Sequence, residues 1–317
     1  MVSTNLNYQF QVDFRGVTNI PLDPRERLSY FQNFKALLKN EIEKIKNWHR
    51  SGAGGREIVQ AHTGLMDELI RHIVHSLAKL EIYANSNPTQ RFSLIAVGGY
   101  GRGELNPASD IDLLFIIEKE KINNIVENFI QDLISIFWGI GLEIGHSVRS
   151  LKTCVSLAKE DLTVQTALID IRIIVGKSEL FEKLNQAIQK KLLKKNIKKI
   201  LTSKLNEYFD PNQSVSELVC TPEPNIKNGP GGLRYYHTAM WGMATLFGNV
   251  SFLDFDDGKT ISKREIKGYY RSIDFFLRVR NELHYLTKKK IDVLSLDLQN
   301  DLAMHLGYKE KDAKDIT

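Results

Sequence analysis

Residues 97–115, VGGYGRGELNPASDIDLLF, decide the fold of this chain. They begin where the apolar run Phe92–Val97 ends, and they lead into a second apolar run, Ile111–Ile117. Both runs are rich in β-branched and aromatic residues, which predicts two strands of a buried sheet. A helical period over Ile122–Gly139 and a third predicted strand over Leu142–Arg149 complete a compact α/β unit.

Helical patterns flank this unit on both sides. Apolar residues recur every three or four positions between residues 24 and 50 and again between residues 65 and 80, and beyond Leu151 the strand signal stops. We therefore predict an N-terminal arm and helix over residues 1–55, an α/β module with a small mixed sheet and flanking helices over 56–150, and an all-α helical domain over 151–317.

Composition excludes several classes of protein. The 317 residues carry 43 Lys and Arg against 38 Asp and Glu, and the small basic excess is scattered, so we expect no nucleic-acid partner. The main run of basic residues, Lys190–Lys199, is typical of a solvated helix face. No apolar stretch is long enough for a membrane span, and the N-terminus does not resemble a secretory signal. Two cysteines cannot form a disulfide framework, which favours a cytoplasmic location.

Two features of residues 97–115 can carry chemistry. A strand ending in Gly98-Gly99 lets the backbone approach a ligand closely and offers N–H groups to phosphate oxygens, and Arg102 is placed to pair with a phosphate. Asp110 and Asp112 lie two positions apart at the start of a strand, which puts both carboxylates on one face. Because two adjacent carboxylates repel, they predict a divalent cation between them, with Mg²⁺ the natural candidate.

Each feature taken alone also has an ordinary structural explanation. Gly-Gly is most often a turn, and Asp-x-Asp most often marks a solvated strand edge or a helix N-cap. Their order, with strands on both sides, favours nucleotidyl transfer. Glu143 on the third predicted strand is our candidate for a third carboxylate, whereas Asp161 and Asp170 lie on helical patterns and are interpreted as N-cap or surface acids.

The motif GGYGRGEL followed by SDIDLL resembles the core of the DNA polymerase beta-type nucleotidyltransferase superfamily. More closely, it resembles the protein PII uridylyltransferase (uridylyl-removing) enzymes of bacterial nitrogen regulation. The resemblance covers roughly residues 55–308 and includes PNIKNGPGGLR at 224–234 and FLRVRNELH at 276–284. Within the second segment, the side chains of Arg278, Arg280 and His284 either line the cleft that binds the nucleotide or pair with acids.

The resemblance implies a metal-dependent nucleotidyltransferase that moves UMP from UTP to a tyrosine of protein PII. It implies that Asp110 and Asp112 hold Mg²⁺ or Mn²⁺ and that Glu143 serves catalysis with them. The implied nucleotide-binding residues lie in the glycine loop and in the later PNIKNGPGGLR segment: Gly98, Gly99, Arg102, Ser109, Lys227, Gly231, Gly232 and Arg234. The residues of the PNIKNGPGGLR segment also have a structural interpretation, in which they form a turn that leads into a helix.

Two alternative functions stay open at this point. Nothing in the Gly-Gly and Asp-x-Asp core recognises the base, so an adenylyltransferase, or a nucleotidyltransferase with another acceptor, fits equally. A non-catalytic module that binds nucleotide or a partner protein is the third possibility, although a scaffold has no need to place two repelling charges side by side.

The chain also departs from the family pattern. The sequence contains no His-Asp dipeptide, so we expect no HD domain and no uridylyl-removing activity. ACT domains are likewise not expected, and we expect the helical domain to be truncated. Tyr235 stands where the family commonly has Asp, which puts the role of that acid in doubt.

Overall fold

The computed structural model describes residues 12–17, 20–21, 23, 25–118, 123–190, 202–203, 206, 221–247 and 262–308. The sequence also predicts a helix over Ile197–Tyr208, of which only residues 202, 203 and 206 are described, and most of the basic run after Lys190 lies outside the described residues. The predicted boundaries at residues 55 and 150 stay predictions.

The centre of the fold is a four-stranded mixed sheet in the order β3-β2-β1-β4. The strands are β1 (Phe92–Ala96), β2 (Ile111–Ile117), β3 (Ile144–Ser150) and β4 (Arg172–Gly176). Strand β1 pairs antiparallel with both β2 and β4, while β2 and β3 run parallel. The small mixed sheet and the helical region that follows it confirm the predicted fold class.

Strand β4 corrects the sequence analysis, which placed no strand after Leu151; the pattern over Asp161–Arg172 predicts a helix there instead. The helix there is short (Leu162–Ala167), and β4 follows it and adds to the β1 edge of the sheet. The strand has only five residues, and its β-branched side chains directly follow a helical period. Local pattern therefore could not separate the strand from the helix before it.

Helices cover both faces of the sheet, which explains why β1 and β2 are apolar at nearly every position. One face packs on α1 (Arg27–Arg50), α2 (Gly55–Ala78) and α5 (Asn124–Gly139). The other face packs on α6 (Leu151–Glu160) and α8 (Ser178–Ile188). Two single-turn helices, α3 (Glu81–Ala84) and α4 (Gly98–Gly101), flank β1, and α7 (Leu162–Ala167) precedes β4.

Three later helices form the wall that faces the sheet edge: α9 (Leu233–Phe247), α10 (Lys263–Thr287) and α11 (Leu296–His305). Helix α10 packs along α2, and Leu233 and Leu277 share an apolar cluster with Val59 of α2. A second cluster joins α10 to α11 and includes Ile226 of the preceding loop. These contacts fix the helical wall against α2.

No helix within the described ranges combines the length and the apolar character that crossing a bilayer requires.

Candidate active site

The two aspartates and the glycine turn meet at one edge of the sheet. Asp110 lies directly before β2 and Asp112 is its second residue, and both side chains line a cleft of about 280 Å³ with Gly98, Gly99 and Ser109. The period-two spacing of the aspartates thus has the geometric consequence that the sequence predicted. Since Gly98 and Gly99 begin helix α4, their N–H groups have no acceptor within that helix.

Two glycines border the Asp112 carboxylate. Gly98 has a φ of +60°, a conformation that side-chain-bearing residues rarely adopt. Gly145 lies opposite Asp112 in the parallel β2–β3 pair, and a Cβ atom there would stand 2.6 Å from Asp112 Oδ1. Any other residue at position 145 would therefore displace the carboxylate.

The charges around the aspartates are unequal. Reduced hydration of its carboxyl and the neighbouring Asp110 charge raise the pKa of Asp112, and Lys290 and Lys227 oppose this shift. The Lys290 ammonium donates a hydrogen bond to Asp110 Oδ2. A cation thus already offsets part of the repulsion between the two acids.

The aspartate pair fits a magnesium ion that a bound nucleotide would help to coordinate. No group of three or more His, Cys, Asp or Glu side chains in the described part of the chain could hold a metal ion. Mg²⁺ usually takes one or two protein carboxylates together with substrate phosphates. Two adjacent carboxylates, one with a raised pKa, suit that donor set and not an all-protein cage.

Basic side chains from the helical region form the opposite wall of the cleft. Four of them line it, from the loop before α9, from α9 and α10, and from the segment after α10: Lys227, Arg234, Arg280 and Lys290. The cleft therefore has an acidic side on the sheet and a basic side on the helices. This is the charge pattern expected for metal-bound phosphates.

Lys227 and Arg280 share one acidic partner. Arg280 Nε donates to Asp292 Oδ1 at 2.7 Å, and Lys227 Nζ lies 3.7 Å from Asp292 Oδ2. Burial, followed by repulsion from Arg280, lowers the pKa of Lys227 to about 8, against the pull of Asp292. Lys227 is consequently only partly charged at mildly alkaline pH.

Asn106 connects the glycine loop to helix α10. Its amide donates to Asn281 Oδ1 at 2.6 Å, and its carbonyl oxygen accepts from Arg280. Asn281 in turn donates to the carbonyl of Gly55, at the start of α2. Arg280 therefore both lines the cleft and pairs with an acid, whereas Arg278 donates to the carbonyl of Leu306.

Arg102 lines the cleft but is bound to two acids. Its Nε donates to Glu104 Oε2 at 2.9 Å, and Nη1 donates to Asp170 Oδ2. Both acids also bind α9, because His237 lies 3.1 Å from Glu104 and Trp241 donates to Asp170 at 2.8 Å. Burial alone would raise the pKa of Glu104, but Arg102 and His237 hold it far below its usual range.

This cluster corrects one interpretation of the sequence. Asp170 is neither an N-cap nor a surface acid: its side chain is 11% exposed and its position lies between α7 and β4. Burial raises its pKa, and Arg102 opposes that shift. Asp161, by contrast, caps α7 by accepting from the N–H groups of Thr163 and Val164, which confirms its N-cap interpretation.

The remaining predicted site residues are dispersed. Gly231 and Gly232 form the turn that begins α9, and neither is among the residues that line the cleft. Glu143 is exposed, one residue before β3, and lines a second, more open depression together with both aspartates. The roles assigned to all of these residues stay predictions.

Sequence reasoning missed Lys290, Glu104 and Asp292. Lys290 belongs to a run of three lysines after α10, which resembles an ordinary solvated helix end. Glu104 follows Arg102 at a spacing that is common for surface pairs. Nothing local indicated that either would reach the cleft.

Two family models match the chain. The GlnD PII-uridylyltransferase family matches residues 199–316, and the nucleotidyltransferase family DUF294 matches residues 41–144. The second match includes the glycine turn and both aspartates, and the first includes Lys227, Arg280 and Lys290. The resemblance stated from the sequence is confirmed.

Curated relatives are similar over most of the chain. A bifunctional uridylyltransferase/uridylyl-removing enzyme of Caulobacter vibrioides is 34% identical over 271 residues, which cover 85% of this chain and 28% of that protein. Proteins of the same name are 31% identical in Novosphingobium aromaticivorans, over 88% of this chain and 31% of that protein, and in Azospirillum brasilense, over 90% and 30%. The chain spans less than a third of the length of these relatives.

Proposed function

We propose that this chain, a relative of the bifunctional uridylyltransferase/uridylyl-removing enzymes, is a nucleotidyltransferase that transfers UMP from UTP to a tyrosine hydroxyl of protein PII. The observation that carries the proposal is the cleft in which Asp110 and Asp112 face a basic wall across a glycine turn. The reaction consumes a nucleoside triphosphate, so we place it in the cytoplasm. Uridylyl removal is not part of the proposal.

Binding of the nucleotide follows from the distribution of charge. Asp110 and Asp112 would hold Mg²⁺ or Mn²⁺, which supplies Lewis-acid polarisation of the α-phosphate and charge neutralisation. Gly98, Gly99 and Ser109 line the same cleft, and the N–H groups of the two glycines and the hydroxyl of Ser109 would hold phosphate oxygens. Lys227, Arg234 and Arg280 would stabilise the negative charge that builds up on the leaving pyrophosphate.

The chemical step is a displacement at the α-phosphorus. The acceptor oxygen forms a bond to that phosphorus, the bond to the pyrophosphate oxygen breaks, and the hydroxyl proton moves to a carboxylate. A tyrosine hydroxyl has an ordinary pKa near 10, so a base is needed near neutral pH. Glu143, exposed beside the aspartates, is our candidate for that base.

The experiment supplies purified PII with labelled UTP or ATP in the presence of Mg²⁺ or Mn²⁺. We expect label transfer from UTP, and abolished transfer in Asp112→Asn with an unchanged circular dichroism spectrum. Asp301→Asn, an exposed acid on α11, is the matched control and should retain wild-type transfer. Full activity in Asp112→Asn would exclude the proposed role of the aspartate pair. Transfer from ATP alone would make the chain an adenylyltransferase. Nucleotide binding without transfer would make it a binding module.

A further inference from the structure

We propose that the acceptor docks in the second depression, beside Trp138 and along the outer edge of β3, as an extended loop that presents its tyrosine to the aspartate pair. This inference rests on the proposed function and identifies where the protein substrate binds. It is carried by the position, the charge and the exposed aromatic surface of the depression.

The depression and the nucleotide cleft have one pair of acids in common and share no other lining residue. Trp138, Glu143 and Gly145 line the depression, and Asp110 and Asp112 are the residues that it shares with the cleft. A molecule in one cavity therefore meets a molecule in the other only at the aspartates. That is the arrangement required of two substrates that react there.

The direction of the displacement assigns the two cavities. The attacking oxygen and the leaving oxygen lie roughly in line on opposite sides of the phosphorus. Pyrophosphate carries several negative charges and belongs in the cleft with Lys227, Arg234 and Arg280. The acceptor hydroxyl must then approach from the other side, which is the depression.

The charge of the depression agrees with this assignment. Its titratable side chains are Asp110, Asp112 and Glu143, and among the described residues none of its lining side chains is basic. Such a surface repels a triphosphate but accepts a neutral hydroxyl, and it supplies carboxylates to take up the proton. A second phosphate-bearing ligand is therefore a poor occupant.

Exposed aromatic surface at the rim provides recognition. The Trp138 side chain, at the end of α5, is 58% exposed, and its ring lies 5.8 Å from the exposed ring of His146, edge to face. Val148 is exposed two residues further along β3, so it projects from the same face of the strand as His146. Exposed indole and imidazole rings offer flat apolar surface on which a tyrosine ring can pack.

The edge position of β3 is the reason for proposing that the segment docked in the depression is extended. Strand β3 is an edge strand among the described strands and pairs with β2 through Asp112 and Gly145. An edge strand can bind an added strand through main-chain hydrogen bonds, with side-chain pockets providing specificity. A loop that pairs with β3 would pass Gly145, the residue directly opposite the catalytic carboxylate.

The test measures acceptor binding and nucleotide binding separately in the full chain. The ligand is a PII variant whose acceptor tyrosine is replaced by phenylalanine. Trp138→Ala should weaken the affinity for this variant roughly tenfold or more, as expected for an aromatic anchor at an interface. It should raise KM for PII similarly while leaving the affinity for UTP with Mg²⁺ unchanged. Trp138→Phe should restore most of the affinity, and His146→Ala should lower it. Phe275→Ala, which removes an exposed ring from α10, is the matched control and should change neither value.

The outcomes separate this inference from the function on which it rests. If wild-type protein transfers UMP to PII and Trp138→Ala binds PII with wild-type affinity, the docking site is wrong and the proposed function stands. If wild-type protein shows neither transfer to PII nor binding of PII, both are wrong. A loss of PII affinity in the folded Trp138→Ala variant, with UTP affinity intact, supports the docking site.

Discussion

Gly145 lies directly across the β2–β3 pair from Asp112, and the aspartate carboxylate extends into the space that a side chain at position 145 would fill. The parallel register fixes the pairing, so the position of the carboxylate depends on a residue 33 positions later in the chain. The N-terminal ends of the two paired strands thereby set the geometry of the proposed metal site.

Gly145→Ala should reduce transfer more than it reduces stability. The added methyl group would stand 2.6 Å from Asp112 Oδ1, and a flexible carboxylate can move away at little cost to the fold. Misplacement of a group at a reacting centre by about 1 Å can cost roughly a hundredfold in rate. Single-turnover transfer and thermal melting of the same samples check this, with Gly64→Ala on α2, where a methyl group meets nothing within 4 Å, as the control. A variant that melts much earlier but transfers normally when folded would contradict it.

Lys290→Met should strengthen the binding of Mn²⁺ in the absence of nucleotide. The lysine ammonium and a divalent cation compete for Asp110, and Lys290 and Asp110 are both partly exposed, at 44% and 43%. An exposed ion pair is worth up to about 1 kcal/mol, so the gain in Mn²⁺ affinity should be about two- to fivefold. Titration followed by electron paramagnetic resonance measures it, and Lys289→Met serves as the control. Equal or weaker Mn²⁺ binding in Lys290→Met would show that the lysine does not compete for the site.

The features that the sequence predicted are those that depend on short-range periodicity. Alternation along β2 placed Asp110 and Asp112 together, and the positive φ of Gly98 agrees with the expected glycine turn. Contacts between distant segments could not be predicted in this way. Lys290 reaches Asp110 across 180 residues, and Arg102 reaches Asp170 across 68. The packing of α9 and α10 against the rest of the fold sets both contacts, and no local pattern in the sequence reports it.

The affinity for UTP should fall as pH rises through the pKa of Lys227, which is about 8. The protonated lysine attracts phosphate, so binding is strongest below pH 8 and weakens above it as the ammonium loses its proton. If phosphate binding requires the charged form, the dissociation constant should increase roughly fivefold between pH 8 and pH 9 by linkage.

Lys227→Arg provides the comparison, because a guanidinium stays protonated over this range. Isothermal titration with UTP and Mg²⁺ from pH 7 to 9.5 should give a steeper pH dependence for wild-type protein than for Lys227→Arg. Parallel curves for the two proteins would exclude Lys227 as the titrating group.

Arg102 was expected to bind phosphate, but its contacts predict a larger effect on stability than on nucleotide affinity. The side chain is 14% exposed and joins Glu104 to Asp170, so Arg102→Met would leave two largely buried carboxylates without their cation. Removal of one partner from a buried ion pair costs about 3–5 kcal/mol. Denaturant unfolding should show that loss, whereas Arg91→Met, at an exposed position before β1, should change the free energy of unfolding by less than about 0.5 kcal/mol.

Arg102→Lys separates the role in stability from a role in phosphate binding, because it keeps the charge and loses the forked guanidinium that binds both acids. We expect it to melt earlier with UTP affinity within threefold of wild type. Wild-type stability combined with a tenfold loss of UTP affinity would instead return Arg102 to the phosphate site.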